Sequence, residues 1–234
     1  MYLHKPIRGI FFDVGWTMNE PASGHWMITK KAYEYIDINV INSLPKERIS
    51  KAFEQCMDYL NKNHLLKTED DEYQQFKIFY TMFSNLLPEL KISKEQIEEI
   101  AYDKVYNVKN YIFFEDTKKT IDILSKKYKL GIISDTWPSI ERILKSEGLL
   151  GYFSSKTYSY NLGVYKPNPK MYDHALSTLK IPAEETSFID DSVENLKGAM
   201  DFGIQPVLIN VKGDKDVSIN ITKINKLSDL LEYL

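Results

Sequence analysis

Cysteine is nearly absent from this chain of 234 residues, and a single thiol, Cys56, excludes any disulfide within the chain. Cys56 falls on the apolar face of a helical pattern, so we expect a core thiol there rather than a nucleophile. Neither sign of charge dominates, because 30 basic residues against 33 acidic residues leave a formal net charge of −3. A nucleic-acid-binding surface needs a basic excess. We therefore expect no nucleic-acid partner.

Long apolar runs are also missing. No stretch approaches the ~18 residues that a membrane-spanning helix needs, and residues 1–6 lack the apolar region of a secretory signal peptide. Hydrophobic residues make up 43% of the chain, which is ample for a packed core. These features predict a soluble, cytoplasmic globular protein without a membrane partner, and they leave its oligomeric state open.

Two kinds of pattern divide the chain. The apolar run that leads into Asp13 predicts a buried parallel strand over residues 7–13. Residues 18–24 are rich in turn formers and predict a mobile connection, and the following stretch to about 112 repeats apolar residues at helical spacing without a strand signal. Four helices are predicted there, near 26–42, 46–62, 70–87 and 93–109.

Beyond residue 112, strands alternate with helices, which implies right-handed crossovers and a parallel sheet. The later strands are predicted near 130–134, 156–159, 187–190 and 206–209, and the helices near 117–127, 138–147, 168–179, 193–202 and 227–233. The predicted fold is α/β, a Rossmann-like parallel sheet with an inserted α-helical cap domain. Residues 1–17 and 113–234 would form the core, and residues 18–112 the cap.

Polar side chains follow four of the predicted strands. They are Asp13, Ser134, Lys166 in the loop after the third strand, and the pair Asp190-Asp191. The carboxyl ends of parallel strands meet at one edge of the sheet, where ligands bind. Carboxylates suit Mg²⁺, an ammonium neutralises phosphate charge, and a hydroxyl donates to phosphate oxygens. Singly, Ser134-Asp135 and Asp190-Asp191 could each just cap a helix, but together the four favour a phosphate and magnesium site.

The order of these segments is that of a known family. With them the chain resembles the haloacid dehalogenase-like hydrolase superfamily, in its helical-cap (C1-type) branch. The matching segments are Phe12-Asp13-Val14-Gly15-Trp16-Thr17, Ile132-Ile133-Ser134-Asp135-Thr136, Gly163-Val164-Tyr165-Lys166-Pro167-Asn168-Pro169 with Tyr172, and Phe188-Ile189-Asp190-Asp191-Ser192 with Asn195, Ala199 and Gly203.

The resemblance implies a nucleophile and a metal site. Asp13 is expected to form an aspartyl-phosphate, with its other oxygen on Mg²⁺, and Gly15 to offer its backbone carbonyl to the metal. Asp191 matches the direct acidic ligand, Asp190 supports it, and Asn195 stands where many relatives carry a second acidic residue.

The resemblance also implies a phosphate-binding set. Ser134 and Lys166 match the pair that holds the phosphate, and Lys166 would in addition orient the nucleophile. Val14, Gly15 and Asp135 complete the expected phosphate-binding residues. The implied activity is Mg²⁺-dependent hydrolysis of a small phosphorylated metabolite.

One departure from the family pattern concerns Gly15. Family phosphatases usually place a second Asp at this position, where it protonates the leaving oxygen and later activates water. General acid–base catalysis is worth about 10²–10⁴-fold, or roughly 3–5 kcal/mol of barrier. We therefore expect slow turnover of phosphate esters with poor leaving groups, and a smaller penalty for aryl or acyl phosphates.

Three explanations of the glycine stay open. Glu20 or His25, in the connection to the cap, could transfer the proton instead. The chemistry could be carbon–phosphorus or carbon–halogen hydrolysis, although the acidic pair Asp190-Asp191 argues against the dehalogenase branch. The protein could also bind phosphate and Mg²⁺ without useful turnover, as a regulator.

Overall fold

A computed structural model describes Leu3, residues 6–213 and residues 221–234. The chain separates into two compact units. The α/β unit holds the described residues up to Glu20, then Phe113–Thr136, then the described residues from Ile140 onward. The helical unit holds Pro21–Ile112 together with Trp137–Ser139. Residues 18–20 thus group with the α/β unit, and 137–139 group with the helical unit.

The α/β unit is built on a six-stranded sheet in which every pairing is parallel. Its strands are β1 (Gly9–Phe12), β4 (Lys129–Ser134), β5 (Phe153–Tyr158), β6 (Thr186–Asp190), β7 (Gln205–Ile209) and β8 (Thr222–Ile224). Their order across the sheet is β5-β4-β1-β6-β7-β8. The predicted Rossmann-like parallel sheet is confirmed, and the short β8 is an addition to it.

The central position of β1 follows from its composition. All four of its residues are buried, because β4 and β6 pair with it on its two sides. Phe12 lies level with Ile132 and with Ile189, so the next residue, Asp13, emerges beside the ends of β4 and β6. The register therefore brings three of the predicted polar strand ends to one place.

Of the α-helices described in the α/β unit, four lie near predicted helices, and the short one that follows β5 falls where a loop was predicted. They are α6 (Thr117–Ser125), α7 (Ile140–Ser146), α8 (Ser159–Leu162), α9 (Pro169–Leu179) and α10 (Val193–Met200). The Asn168 side chain caps α9, and the Ser192 side chain caps α10. The last predicted helix, 227–233, is instead a 3₁₀ helix over Leu227–Glu232.

The helical unit has α1 (Lys30–Tyr35), α2 (Ile38–Ser43), α3 (Lys46–Lys62), α4 (Glu69–Leu86) and α5 (Lys94–Tyr106). The single helix predicted over 26–42 is wrong, because the backbone is extended at Ile36 and the Asp37 side chain caps a second helix. Cys56 is buried and unpaired in the core of this unit, as predicted.

Two short strands were not predicted. β2 (Asn19–Pro21) and β3 (Tyr111–Phe113) form a two-stranded sheet, so a mobile connection over residues 18–24 is wrong where β2 lies. Three residues are too few to show a strand period, and Pro21 argues against a strand. Among the described residues, no helix combines the length and apolarity needed to span a membrane.

Candidate active site

A tight turn fixes Asp13 at the end of β1. The Asp13 amide donates to the Ile189 carbonyl at 2.9 Å, which extends the pairing with β6 by one residue. The Val14 carbonyl then accepts from the Met18 amide at 2.8 Å and from the Asn19 amide at 3.2 Å. Trp16 is held in the left-handed region at φ 55, which is costly for a bulky side chain and typical of functional turns.

Lys166 joins the two strand-end carboxylates. Its Nζ lies 2.8 Å from Asp13 Oδ1 and 2.7 Å from Asp190 Oδ2, and it also donates to the Ile133 carbonyl at 3.2 Å. Burial lowers the pKa of Lys166, but the charges of Asp13 and Asp190 outweigh it and raise the pKa above its ordinary value. The ammonium therefore stays charged at neutral pH and holds Asp13 in place.

Both carboxylate oxygens of Asp190 accept hydrogen bonds from protein groups. Its Oδ1 accepts from the Ser192 amide at 2.6 Å, and the Asn195 side-chain amide lies 3.2 and 3.1 Å from its two oxygens. Burial raises the pKa of Asp190, and the Lys166 ammonium opposes that shift. These contacts suit Asp190 to orienting Lys166, and they give Asn195 a structural partner in place of a metal.

The same carboxylates have the donor chemistry of a magnesium site. Oxygens of Asp13, Asp190 and Asp191 lie within 4.8 Å of one another. Asp13 Oδ2 accepts no hydrogen bond from the described residues, since the Lys166 ammonium contacts Oδ1. Hard oxygen donors at this spacing fit Mg²⁺.

Polar donors without a described partner follow the ends of β4 and β1. Ser134 is buried at the end of β4, and within the described part of the chain its hydroxyl makes no hydrogen bond. The backbone amides of Val14 and Gly15 likewise meet no backbone acceptor there, whereas the next amide, that of Trp16, donates to the Asn19 carbonyl at 2.7 Å. An anion placed against Asp13 would satisfy such groups.

The Asp135 carboxylate contacts the loop that carries Lys166, and its expected part in phosphate binding stays a prediction. Its Oδ1 accepts from the backbone amide of Lys166 at 2.9 Å. Burial raises the pKa of Asp135 to about 6, against the opposing charge of Lys166. The geometry ties the Lys166 loop to the end of β4 through this carboxylate.

The two candidate proton donors lie in different units. Glu20 is on β2 in the α/β unit, and His25 is in the helical unit. His25 Nδ1 accepts from the amides of Met27 at 3.1 Å and Ile28 at 3.2 Å, and burial lowers the pKa of His25. Its proton therefore resides on Nε2, and a proton-transfer role for either residue stays a prediction.

Sequence reasoning missed several polar residues around the site. Asn19 pairs with Gly15 in an isolated bridge, yet its side-chain amide and the Thr17 hydroxyl are buried and have no hydrogen-bond partner among the residues that the structure describes. Buried polar groups normally have partners, including water. The Ser159 hydroxyl accepts from the Thr136 amide at 2.8 Å. Hydroxyls and amides are common enough that no sequence signal singled these residues out.

The fold and this arrangement of charges define a hydrolase of the haloacid dehalogenase-like class. A family model described as haloacid dehalogenase-like hydrolase matches residues 8–203, and the chain belongs to this family. Among relatives, a glyceraldehyde 3-phosphate phosphatase from Methanothermobacter thermautotrophicus is 24% identical over 243 residues, covering 97% of this chain and all of the relative. Another of that name, from Methanocaldococcus jannaschii, is 25% identical and covers 97% of each chain.

Solved structures agree on the fold. A HAD phosphatase from Thermococcus onnurineus matches with a TM-score of 0.65 at 21% identity and covers 97% of each chain. A 2-haloacid dehalogenase from Pseudomonas syringae matches with a TM-score of 0.66 at 18% identity, covering 97% of this chain and 98% of that one. At these identities the likeness establishes the fold alone.

Proposed function

We propose that this hydrolase is a Mg²⁺-dependent phosphatase that acts on a small phosphorylated metabolite through an aspartyl-phosphate at Asp13. The observation that carries the proposal is the buried Lys166 ammonium, held 2.8 Å from Asp13 and 2.7 Å from Asp190. The ammonium fixes the Asp13 carboxylate at the carboxyl edge of the sheet and leaves Asp13 Oδ2 without a described hydrogen-bond donor. The proposal assigns the unused donors of Ser134, Val14 and Gly15, which follow the ends of β4 and β1, to the oxygens of the phosphate.

The reaction requires two displacements. An oxygen of Asp13 attacks phosphorus, the ester bond breaks, and the leaving oxygen takes up a proton. Water then attacks the aspartyl-phosphate, which releases inorganic phosphate and restores the carboxylate. Lys166 and the Ser134 hydroxyl would stabilise the phosphoryl oxygens in both steps. Mg²⁺, held by Asp13, Asp191 and the Gly15 carbonyl with Asp190 in support, would neutralise charge on the phosphoryl group.

Gly15 sets the range of substrates. No side chain at this position can protonate the leaving oxygen, so esters whose leaving groups are already good should react best. The relatives named glyceraldehyde 3-phosphate phosphatase make that compound one member of the test panel. It is an alkyl phosphate, and we expect it to be turned over more slowly than aryl or acyl phosphates.

The test compares the chain with Asp13→Asn on aryl, acyl and alkyl phosphates, with and without Mg²⁺. We expect release of phosphate that depends on Mg²⁺ and is lost in Asp13→Asn. Asp58→Asn serves as a matched control, because Asp58 is an exposed aspartate on α3. Retention of activity in Asp13→Asn would remove the nucleophile from the proposal.

A non-catalytic phosphate-binding or regulatory role is the rival, and the glycine at position 15 is the feature that favours it. In that case orthovanadate or phosphate would bind in the presence of Mg²⁺, while no ester in the panel would be hydrolysed. A carbon–halogen substrate added to the panel tests the remaining branch of the family.

A further inference from the structure

A buried carboxylate in the helical unit has no part in the proposed chemistry. Glu72, on α4, is fully buried. Its Oε2 accepts from the Ser139 backbone amide at 2.7 Å, and its Oε1 accepts from the Ser139 hydroxyl at 2.8 Å. Burying a carboxylate is costly unless it is paired and hydrogen-bonded. Both carboxylate oxygens of Glu72 accept hydrogen bonds from Ser139.

The side chain of Trp137 is held by the same unit. Gln75 Oε1 accepts from Trp137 Nε1 at 2.8 Å, and the Phe76 ring lies 5.5 Å from the Trp137 ring. The buried Lys104 ammonium stands 5.0 Å from the Phe76 ring and 6.0 Å from the Trp137 ring. Residues of α4 and α5 therefore hold the tripeptide 137–139 from several directions.

Lys104 lies near Glu72 and offsets its charge, but it makes no hydrogen bond to the Glu72 carboxylate. The Lys104 ammonium donates to the Tyr111 hydroxyl at 2.9 Å, whereas both oxygens of Glu72 bind Ser139. A pair that served only to neutralise buried charge would be expected to make a direct contact. The geometry points instead to Ser139 as the group that Glu72 holds.

The held tripeptide continues directly from Ser134-Asp135-Thr136. On the α/β side, the Ser159 hydroxyl accepts from the Thr136 amide at 2.8 Å and donates to the Thr136 carbonyl at 3.2 Å. On the other side, Ser139 is fixed by Glu72. The peptide that presents the Ser134 hydroxyl is thus anchored at its far end by two successive contacts.

We propose that Glu72 is a positioning residue of the phosphate site, acting through Ser139 on the loop that carries Ser134. The inference rests on the proposed function, because it assumes that Ser134 donates to a phosphate oxygen. It assigns Glu72 no contact with the substrate. It predicts that phosphate affinity depends on a hydrogen bond made in the core of the helical unit.

The experiment measures orthovanadate binding by calorimetry with Mg²⁺ present, and kcat and KM for p-nitrophenyl phosphate. Ser139→Ala removes one of the two hydrogen bonds without changing any charge, and Glu72→Ala removes both. In the double variant Glu72→Gln/Lys104→Met, the glutamine oxygen can accept from the Ser139 amide while its Nε2 donates to the Ser139 hydroxyl, so two hydrogen bonds to Ser139 remain possible and neither charge of the Glu72–Lys104 pair is left without the other. Glu98→Gln is the control, because Glu98 is a partly exposed carboxylate of the same unit that pairs with Lys77.

Ser139→Ala should weaken vanadate binding and raise KM by about tenfold, the cost of a lost hydrogen bond to a charged group. Glu72→Ala should do at least as much, and Glu72→Gln/Lys104→Met should recover most of the affinity that Glu72→Ala loses. Glu98→Gln should bind vanadate like the parent chain. Thermal melting separates lost affinity from lost folding.

Parental vanadate affinity in a folded Ser139→Ala would overturn the positioning role and leave the proposed phosphatase intact. If the parent chain binds vanadate with this pattern of variants but hydrolyses no ester, the proposed function fails and the positioning role stands. If the parent chain binds no vanadate, both are overturned.

Discussion

Replacing Lys166 with methionine tests the centre of the site most directly. The change keeps an unbranched apolar side chain but removes the terminal ammonium, which lies 2.8 Å from Asp13 and 2.7 Å from Asp190. Removing one partner of a buried ion pair costs about 3–5 kcal/mol, because a charge stays buried without compensation. Asp190 keeps only its contacts to Ser192 and Asn195. We therefore expect a loss of about 3–5 kcal/mol in the free energy of unfolding, and no phosphatase activity.

Two further variants distinguish the loss of the ionic interaction from the loss of side-chain packing as the cause of a lower free energy of unfolding. Asp190→Asn alone removes one of the two carboxylate charges that face Lys166, and Lys166→Met/Asp190→Asn removes that charge together with the ammonium while Asp13 stays. The double variant should be more stable than the sum of the single losses predicts, with a coupling of about 0.5–3 kcal/mol, because the Asp190 charge that Lys166→Met leaves unpaired is then also gone.

Urea denaturation followed by far-ultraviolet circular dichroism measures these differences. Lys126→Met is the control, because Lys126 makes a 2.6 Å ion pair with Asp122 on the surface of α6, where such pairs contribute less than about 1 kcal/mol. A loss for Lys166→Met as small as that of the control, or strictly additive single variants, would refute a buried ionic centre at the end of β1.

Three predictions concern proton transfer, pH and metal. Gly15→Asp should raise kcat for alkyl phosphates by up to about 10²-fold and change aryl phosphates less, and no gain in a folded, Mg²⁺-binding variant would contradict the missing-acid explanation. Burial raises the pKa of Glu72 from 4.5 to about 7, with Lys104 opposing and Glu69 adding to the shift. The folded chain thus holds a proton that the unfolded chain releases, so stability should fall by up to about 3 kcal/mol between about pH 4.5 and pH 7. Urea denaturation at several pH values between about 4.5 and 7 measures this fall in the free energy of unfolding. The fall should be smaller in Glu72→Gln, and an unchanged dependence on pH would exclude Glu72 as its source. Removing Mg²⁺ with a chelator should abolish calorimetric binding of orthovanadate, and binding that survives would show that Lys166 alone suffices.

The sheet and the strand-end residues were predictable because their signals are local. An apolar run that ends in Asp13, or in Asp190, carries both the strand and its terminal carboxylate within a few residues. Parallel pairing then brings the ends together. The expected fold is confirmed for this reason, while the roles of the individual site residues stay predictions until activity is measured.

Features that depend on distant partners were not predictable. The strand β2 exists because β3 pairs with it from far along the chain. The helix predicted over 26–42 breaks at Ile36, where the Asp37 side chain offers a competing cap to the following amides. The contact between Glu72 and Ser139 joins residues 67 positions apart, and on the α4 pattern alone Glu72 resembles any acidic residue of a first helical turn.

The charges in the site also bear on how an anion could enter it. When ionised, Asp13, Asp190 and Asp191 carry three negative charges within a few ångströms, and the Lys166 ammonium contacts two of these carboxylates, Asp13 and Asp190. A phosphate dianion approaching the carboxylates would be repelled by them, and repulsion between close charges grows as the effective dielectric constant falls on burial. A divalent cation among the same oxygens offsets that repulsion. We therefore expect phosphate binding beside Asp13 to depend on a dication such as Mg²⁺ among these oxygens, so metal removal should affect binding as well as turnover.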